Sequence, residues 1–128
     1  SVNLFEGELM RAEGDIAEVA VPALGITVHA ACRGRPPGKG RLTVAFRPEK
    51  VQMSRGRPDS AVNAVEGVVL DFGYFGKDSL YRIKLETGTV VAVNNVNSRR
   101  AAESERVAQW EDKVWLSFEP SSVILLQE

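Results

Sequence analysis

The chain is poor in the side chains that most often carry chemistry. Its 128 residues include one cysteine, Cys32, and one histidine, His29. A lone cysteine cannot close an internal disulfide, which agrees with a reducing compartment. His29 stands three residues before Cys32, and two soft ligands do not make a zinc site. On a strand, His29 reads as a sheet residue. No apolar run is long enough to cross a bilayer as a helix, so any tie to a membrane passes through partner proteins. The chain opens Ser1-Val2-Asn3, without an initiator Met, a charged leader or an apolar h-region. We read it as a fragment without a signal peptide. Helical periodicity is scarce as well: Ser98–Trp110 is the only helical pattern, and Ala101, Ala102, Val107 and Ala108 give it a thin apolar stripe.

The catalytic motifs that can be tested on sequence are missing. Lys39 follows Gly38, but a phosphate-binding loop needs glycine where Arg33 stands and a hydroxyl residue where Gly40 stands. No Gly-x-Ser-x-Gly elbow supports a Ser-His-Asp arrangement. Glu66, Asp71 and Asp78 could meet in space, yet a sheet surface always offers acids, and turn or solvent roles account for them. The chain alone therefore reads as no enzyme, with no metal or cofactor of its own.

What is present describes one small soluble domain, or two very small ones sharing a core: 44% hydrophobic and 26% charged residues with a net charge of −1. The near-zero total hides an uneven spread. Arg33, Arg35, Lys39, Arg41, Arg47, Lys50, Arg55 and Arg57 stand against the single acid Glu49, whereas residues 1–32 carry Glu6, Glu8, Glu13, Asp15 and Glu18. A basic segment of this kind binds phosphates or an acidic protein, or is simply solvated loop. Single-stranded nucleic acid is the poorer partner, because no aromatics interleave with the basic residues and the acidic first third repels a phosphate backbone. No nucleic acid is expected.

Short strands separated by turn signals fill the chain. Leu4–Met10, Ile16–Val21, Ile26–Ala30 and Leu42–Phe46 precede the break at Arg47-Pro48-Glu49. There a proline ends the strand, and one tight helical turn follows, dropping Val51 back onto the core. The pattern restarts with Val62–Phe75, whose Gly67 and Gly73 would permit a bulge or bend. In Leu80–Leu85, Tyr81, Ile83 and Leu85 share one face. Thr89–Val93, Val114–Phe118 and Val123–Leu126 complete the set. The predicted class is all-β, with small OB-like barrels. The division is residues 1–53, a linker 54–61 and residues 62–128, with the last strand returning to a shared core. Phe72, Tyr74 and Phe75 either close the barrel mouth or form a platform for bases or cations.

Taken in order, Phe46-Arg47-Pro48-Glu49-Lys50-Val51, Asn63-Ala64-Val65-Glu66-Gly67-Val68-Val69, Tyr74-Phe75-Gly76, Leu80–Leu85, Gly88, Asp112–Leu116 and Ser122–Leu125 form a pattern. It resembles the transport-associated OB (TOBE) domain, the C-terminal regulatory region of ATP-binding-cassette (ABC) importer ATPases. Asn3-Leu4-Phe5-Glu6-Gly7 also resembles the segment that follows the nucleotide-binding domain there. Arg47, Pro48, Glu49, Gly67, Tyr74 and Gly76 stand at the signature positions. Asp78–Gly88 and Gln109–Val114 are most similar to importers of polyamines, putrescine or spermidine; iron, sugar and sulfate importers share the Arg-Pro-Glu and Tyr-x-Gly turns, so those solutes stay open. The chain departs from the pattern at Glu111, where relatives carry glycine before the aspartate.

The resemblance implies a barrel appended to an ATPase, facing its twin across a two-fold axis and tuning the cycle without hydrolysing nucleotide. ATP and Mg would be bound upstream. Its partners would be the ATPase domain of the same polypeptide and its dimer mate, permease subunits and, indirectly, a solute-binding protein, at the cytoplasmic side of a bacterial inner membrane. A homodimer patch would draw on Phe72, Phe75 and Trp115. A small-ligand sensor, for the transported polyamine or an oxyanion such as molybdate, is the alternative; Asp71, Tyr74, Asp78 and Asp112 would be the groups that hold a cation.

Overall fold

The computed structural model describes residues 2–34, 37–75, 78–95 and 111–127, and of Tyr74, Phe75, Asp78 and Asn95 the backbone alone. The helical pattern at Ser98–Trp110 and the signature position Gly76 lie outside the described residues.

Alternating apolar residues lay down the strands, and glycine or proline ends them. The first half runs β1 (Asn3–Glu13), β2 (Ile16–Val21), β3 (Ile26–Ala31), β4 (Arg41–Phe46), a 3₁₀ turn at Pro48–Lys50 and β5 (Gln52–Ser54). The second half runs β6 (Asn63–Phe75), β7 (Asp78–Leu85), β8 (Val90–Asn95), β9 (Lys113–Phe118), a 3₁₀ turn at Pro120–Ser122 and β10 (Ile124–Gln127). Among the described residues the two halves repeat one another element for element. Each builds an antiparallel sheet, and the shortest strand of each half crosses to the other: the orders are β10-β4-β1-β2-β3 and β5-β9-β6-β7-β8. The all-β expectation holds, as does the shared core.

That core is one contiguous cluster drawn from both inner faces, including Val19, Val28, Leu42 and Phe46 from the first half and Tyr81, Ile83, Val91 and Leu116 from the second. Burying a side chain of this size is worth about 1.5–3 kcal/mol, and the two sheets share that gain. Phe46 and Phe118, the last residues of β4 and β9, stack with ring centroids 4.3 Å apart and planes 10° from parallel. After each comes a proline-initiated turn. Lys50 N–H donates to Arg47 O (3.0 Å) and Ser122 N–H to Glu119 O (2.9 Å), and each turn delivers a buried valine, Val51 or Val123. Pro48 itself is buried, so Arg47-Pro48-Glu49 is a strand terminator packed onto the core.

The glycines of β6 act otherwise than the sequence predicts. Pairing runs without interruption through Gly67, and the register shift lies between Val69 and Asp71, leaving Leu70 as the extra residue. Gly67 is needed for room. A Cβ there would sit 2.6 Å from Ile83 Cγ2 and 2.8 Å from the Lys84 carbonyl oxygen, below any normal contact distance. Gly7 is its counterpart in β1, where a Cβ would lie 2.6 Å from Val19 Cγ1.

Candidate functional site

Where the halves meet, two buried asparagines act as reciprocal clamps. Asn63, at the start of β6, is fully buried. Its Nδ2 donates to the His29 carbonyl (2.9 Å), and the His29 N–H donates to its Oδ1 (2.8 Å). Asn3, at the start of β1, does the same to Ala92: Nδ2 donates to the Ala92 carbonyl (3.0 Å) and the Ala92 N–H donates to Oδ1 (2.9 Å). Since β3 and β8 are the outer strands of their sheets, each side-chain amide supplies the ladder bonds that a further strand would have made. Both residues belong to the sequence pattern, but nothing in the pattern assigns either a role. A signal existed, because Asn-x-x-Glu-Gly occurs at residues 3–7 and again at 63–67.

Two of the acids expected to hold a cation, Asp71 and Asp112, are engaged by arginines. Asp71 follows the bulge and faces outward, opposite Arg82 on β7. Arg82 Nε donates to Asp71 Oδ1 at 2.8 Å, and Arg82 Nη2 donates to Oδ2. This fork-to-fork hydrogen bonding, more than the charge alone, holds the Asp71 carboxyl below its ordinary range and lifts Arg82 above its own. Asp112 accepts from Arg55 Nη2 at 3.0 Å. Its carbonyl also accepts from the Val69 N–H (2.9 Å), so the turn before β9 is tied to the bulged part of β6. Tyr74 and Asp78 lie farther along the same hairpin, paired with Ser79 and Phe75.

The three interface candidates sit in different settings. Phe72 turns inward, with its ring 5.5 Å from that of the fully buried Tyr81. Phe75 is the last residue of β6. Trp115 is half-buried on the outer face of β9, and the Arg57 guanidinium lies over its ring at 5.1 Å from the centroid. Two cations of the basic segment are thus spent inside the chain, Arg55 on Asp112 and Arg57 on Trp115. Arg33, Lys39, Arg41, Arg47 and Lys50 are exposed, and Arg35 lies outside the described residues.

Two grooves flank the junction. One, of about 440 Å³, opens between the end of β3 and β10, with Cys32, Arg33, Ser121 and Gln127 among its walls. The other, of about 310 Å³, brings Leu24 and Ile26 of the first half against Glu66, Glu86, Thr87 and Trp115 of the second, with Arg57 also in its lining. The outer face of the first sheet carries an apolar row as well: Leu4 and Ile124 flank Ala45, and Leu126 lies one step along β10. Leu4, Ile124 and Leu126 are 52%, 46% and 48% exposed, whereas the matching positions of the second sheet are Ala64, Gln52 and Ser54. The arrangement offers surfaces and clefts for binding. No group of three His, Cys, Asp or Glu side chains among the described residues could hold a metal ion, and no helix among them is long and apolar enough to cross a membrane.

Comparison with known proteins places this architecture. A family model described as the TOBE domain matches residues 44–126. The chain is 28% identical over 128 residues to the spermidine/putrescine import ATP-binding protein PotA of Thermotoga maritima, covering 98% of this chain and 34% of that protein. It is 28% identical over 126 residues to the putrescine transport ATP-binding protein PotG of Escherichia coli, covering 98% of this chain and 33% of that one. The chain thus spans about a third of the length of these curated relatives, in their C-terminal region. Among solved structures, the cytoplasmic molybdate-binding protein ModG superposes with a TM-score of 0.75 at 17% identity, covering 98% of this chain and 96% of that one. That likeness is one of fold.

Proposed function

Because the chain belongs to the TOBE domain family, we propose that it is the C-terminal regulatory domain of the ATP-binding subunit of an ABC-type importer for polyamines, putrescine or spermidine. The observation that carries this reading is the alignment of 98% of the chain with a third of two polyamine-import ATP-binding proteins. The other two thirds of such a subunit would hold ATP and Mg and perform hydrolysis, while this domain modulates the cycle through contact. Its partners are then the ATPase domain of its own polypeptide, that domain's dimer mate and the permease subunits, at the cytoplasmic face of the membrane. The units 1–53 and 62–128, joined through 54–61, act together in this reading.

A symmetric pair of such subunits uses one patch twice. The exposed row Leu4, Ile124 and Leu126 suits a second copy of the chain, since the fold accepts Ala64, Gln52 and Ser54 at the matching places and so does not itself demand large apolar residues there. Feedback binding of the solute by Asp71, Tyr74, Asp78 and Asp112 is less favoured, because Arg82 and Arg55 already neutralise two of the four.

The test uses membrane vesicles carrying the parent subunit with its permease, with and without residues 1–128, and follows ATP hydrolysis and uptake of labelled putrescine and spermidine. The expected result is polyamine uptake whose coupling to hydrolysis changes when the domain is removed. Uptake of iron or a sugar in place of polyamine overturns the solute assignment; hydrolysis and uptake indifferent to the deletion overturn the regulatory role.

A further inference from the structure

We propose that the free edge of β10 is a docking site for an extended acidic peptide, which adds to the first sheet in the groove between β10 and the end of β3 and sets its carboxylates against Arg33. The site is the hydrogen-bonding edge of β10, not the apolar face offered to a second copy of the chain, and the inference does not rest on the transporter reading.

Topology supplies the first argument. β10 and β3 are the outermost strands of the first sheet, and the sheet curls until both line one groove of about 440 Å³, with Ile124 and Leu125 on one wall and Ala31 and Cys32 on the other. The corresponding edges of the second sheet, β5 and β8, approach each other more closely. Elsewhere an outer strand is served by a buried asparagine, at His29 on β3 and at Ala92 on β8. Among the described residues the backbone of Ile124, Leu125 and Leu126 makes no hydrogen bond beyond the β4 ladder. An unpaired strand edge inside a groove is a template for one more strand. The 4 residues of β10 extend about 13 Å, which suits a peptide of about four to six residues.

The second argument is that this edge already holds backbone at one end. Gln127 Oε1 accepts from the Gly38 N–H (3.1 Å), and Gln127 Nε2 donates to the Gly38 carbonyl (3.3 Å). The exchange is that of the asparagine clamps, and it brings Lys39 beside the last residue of β10. The third argument is charge. Arg33 is the one charged residue among the groove walls, and Lys39 and Arg41 follow it along the chain. All three are exposed, and none has an ion-pair partner among the described residues. Arg33 also adopts φ +49, a left-handed conformation that glycine takes freely and an arginine takes under strain. Strain of this kind persists where the side chain has a use.

The test titrates the chain into fluorescein-labelled peptide VEVDVE and follows anisotropy, with VKVKVK as the control. Saturable binding that weakens with salt is expected for the acidic peptide alone. N-methylation of its amides, first at the valines and then at the acids, should abolish binding in at least one of the two frames, because one frame faces the strand edge. Arg33→Gly removes the charge and relieves the backbone; it should melt no lower than the parent chain and weaken binding about two- to fivefold, the worth of one exposed ion pair. Arg33→Lys should restore it. In hydrogen exchange, the β10 amides that do not bond β4 should gain protection with peptide, and the His29 and Ala92 amides should not change. No saturation, equal affinity for VKVKVK, indifference to N-methylation in both frames or unchanged affinity in Arg33→Gly each overturns the proposal. So does protection of the β10 edge that rises with protein concentration in the absence of peptide, since a second copy would then be the occupant.

Discussion

Replacing Asn63 by alanine tests whether the asparagine clamps hold the two halves together. The substitution removes one donor and one acceptor from a fully buried position and strands the N–H and C=O of His29 on the outer strand β3. A buried backbone group left without a partner costs about 1–3 kcal/mol, and two are stranded. His29 is half-buried, so water recovers part of the loss, and the expected destabilisation is about 2–4 kcal/mol. For a domain of ordinary stability that is a large share of the total. Urea unfolding should show a lower midpoint at unchanged slope, since the surface exposed on unfolding is the same. Native-state hydrogen exchange gives the sharper readout. Asn63→Ala should speed exchange at the His29 amide and spare Ala92, and Asn3→Ala should do the reverse, because each clamp serves one strand. A loss below about 0.5 kcal/mol, the range of an ordinary surface change, would falsify the clamp assignment. So would unaltered protection of the His29 amide.

Three further outcomes follow from local geometry. Gly67→Ala should cost about 1–3 kcal/mol, because the new methyl group meets the Lys84 carbonyl as well as Ile83, and a backbone atom cannot rotate away; Gly56→Ala, with nothing within 4 Å, should be neutral in the same thermal melt. Glu111 adopts φ +68, a left-handed conformation that costs a side-chain-bearing residue about 1–2 kcal/mol, so Glu111→Gly should stabilise by about 0.5–1 kcal/mol after the added freedom of the unfolded chain is subtracted. An equal or lower midpoint for that variant would contradict the strain argument. The Asp71 carboxyl should titrate below the ordinary aspartate range by NMR and return to it in Arg82→Ala. Because its folded pKa is lowered, the pair's small contribution to stability is present above the unfolded-state pKa and is lost as pH falls through the folded one. Asp71→Asn should therefore differ from the parent chain near neutrality and converge with it in acid.

Strand positions were legible because their signals are local. Tyr81, Ile83 and Leu85 alternate with exposed residues over a single strand, and Pro48 announces the end of β4. What could not be read depends on pairing between distant segments. Strand β5 has three residues and β10 four, too few to reveal which sheet they join. The bulge illustrates a different limit. Glycine in a strand signals either freedom of φ or a lack of room, and the sequence does not distinguish them; Gly67 is there for room while Leu70 takes up the shift. That one-residue shift sets Asp71 opposite Arg82, so a carboxylate that looked available in sequence is spent on a neighbour across the ladder. Asp112 and Trp115 are occupied likewise, by two arginines of a segment that read as linker.

The exchange of β5 and β10 determines how movement of one half reaches the other. Each half lends its last strand to the other sheet, and the Phe46–Phe118 stack and both asparagine clamps cross the same junction. A displacement of one half then has no soft linker in which to dissipate, since the segment after β5 is itself fastened through Arg55 to Asp112 and through Arg57 to Trp115. The Arg55 and Arg57 contacts are the weakest links across that junction, being exposed and worth about 1 kcal/mol or less apiece. A ligand or partner that competes for them can free the connecting segment at small cost, while the core and the clamps keep both halves folded. Under the proposed regulatory role, the points of control are Arg55 and Arg57, where contacts are cheap to exchange, and the buried junction would carry the change from one half to the other.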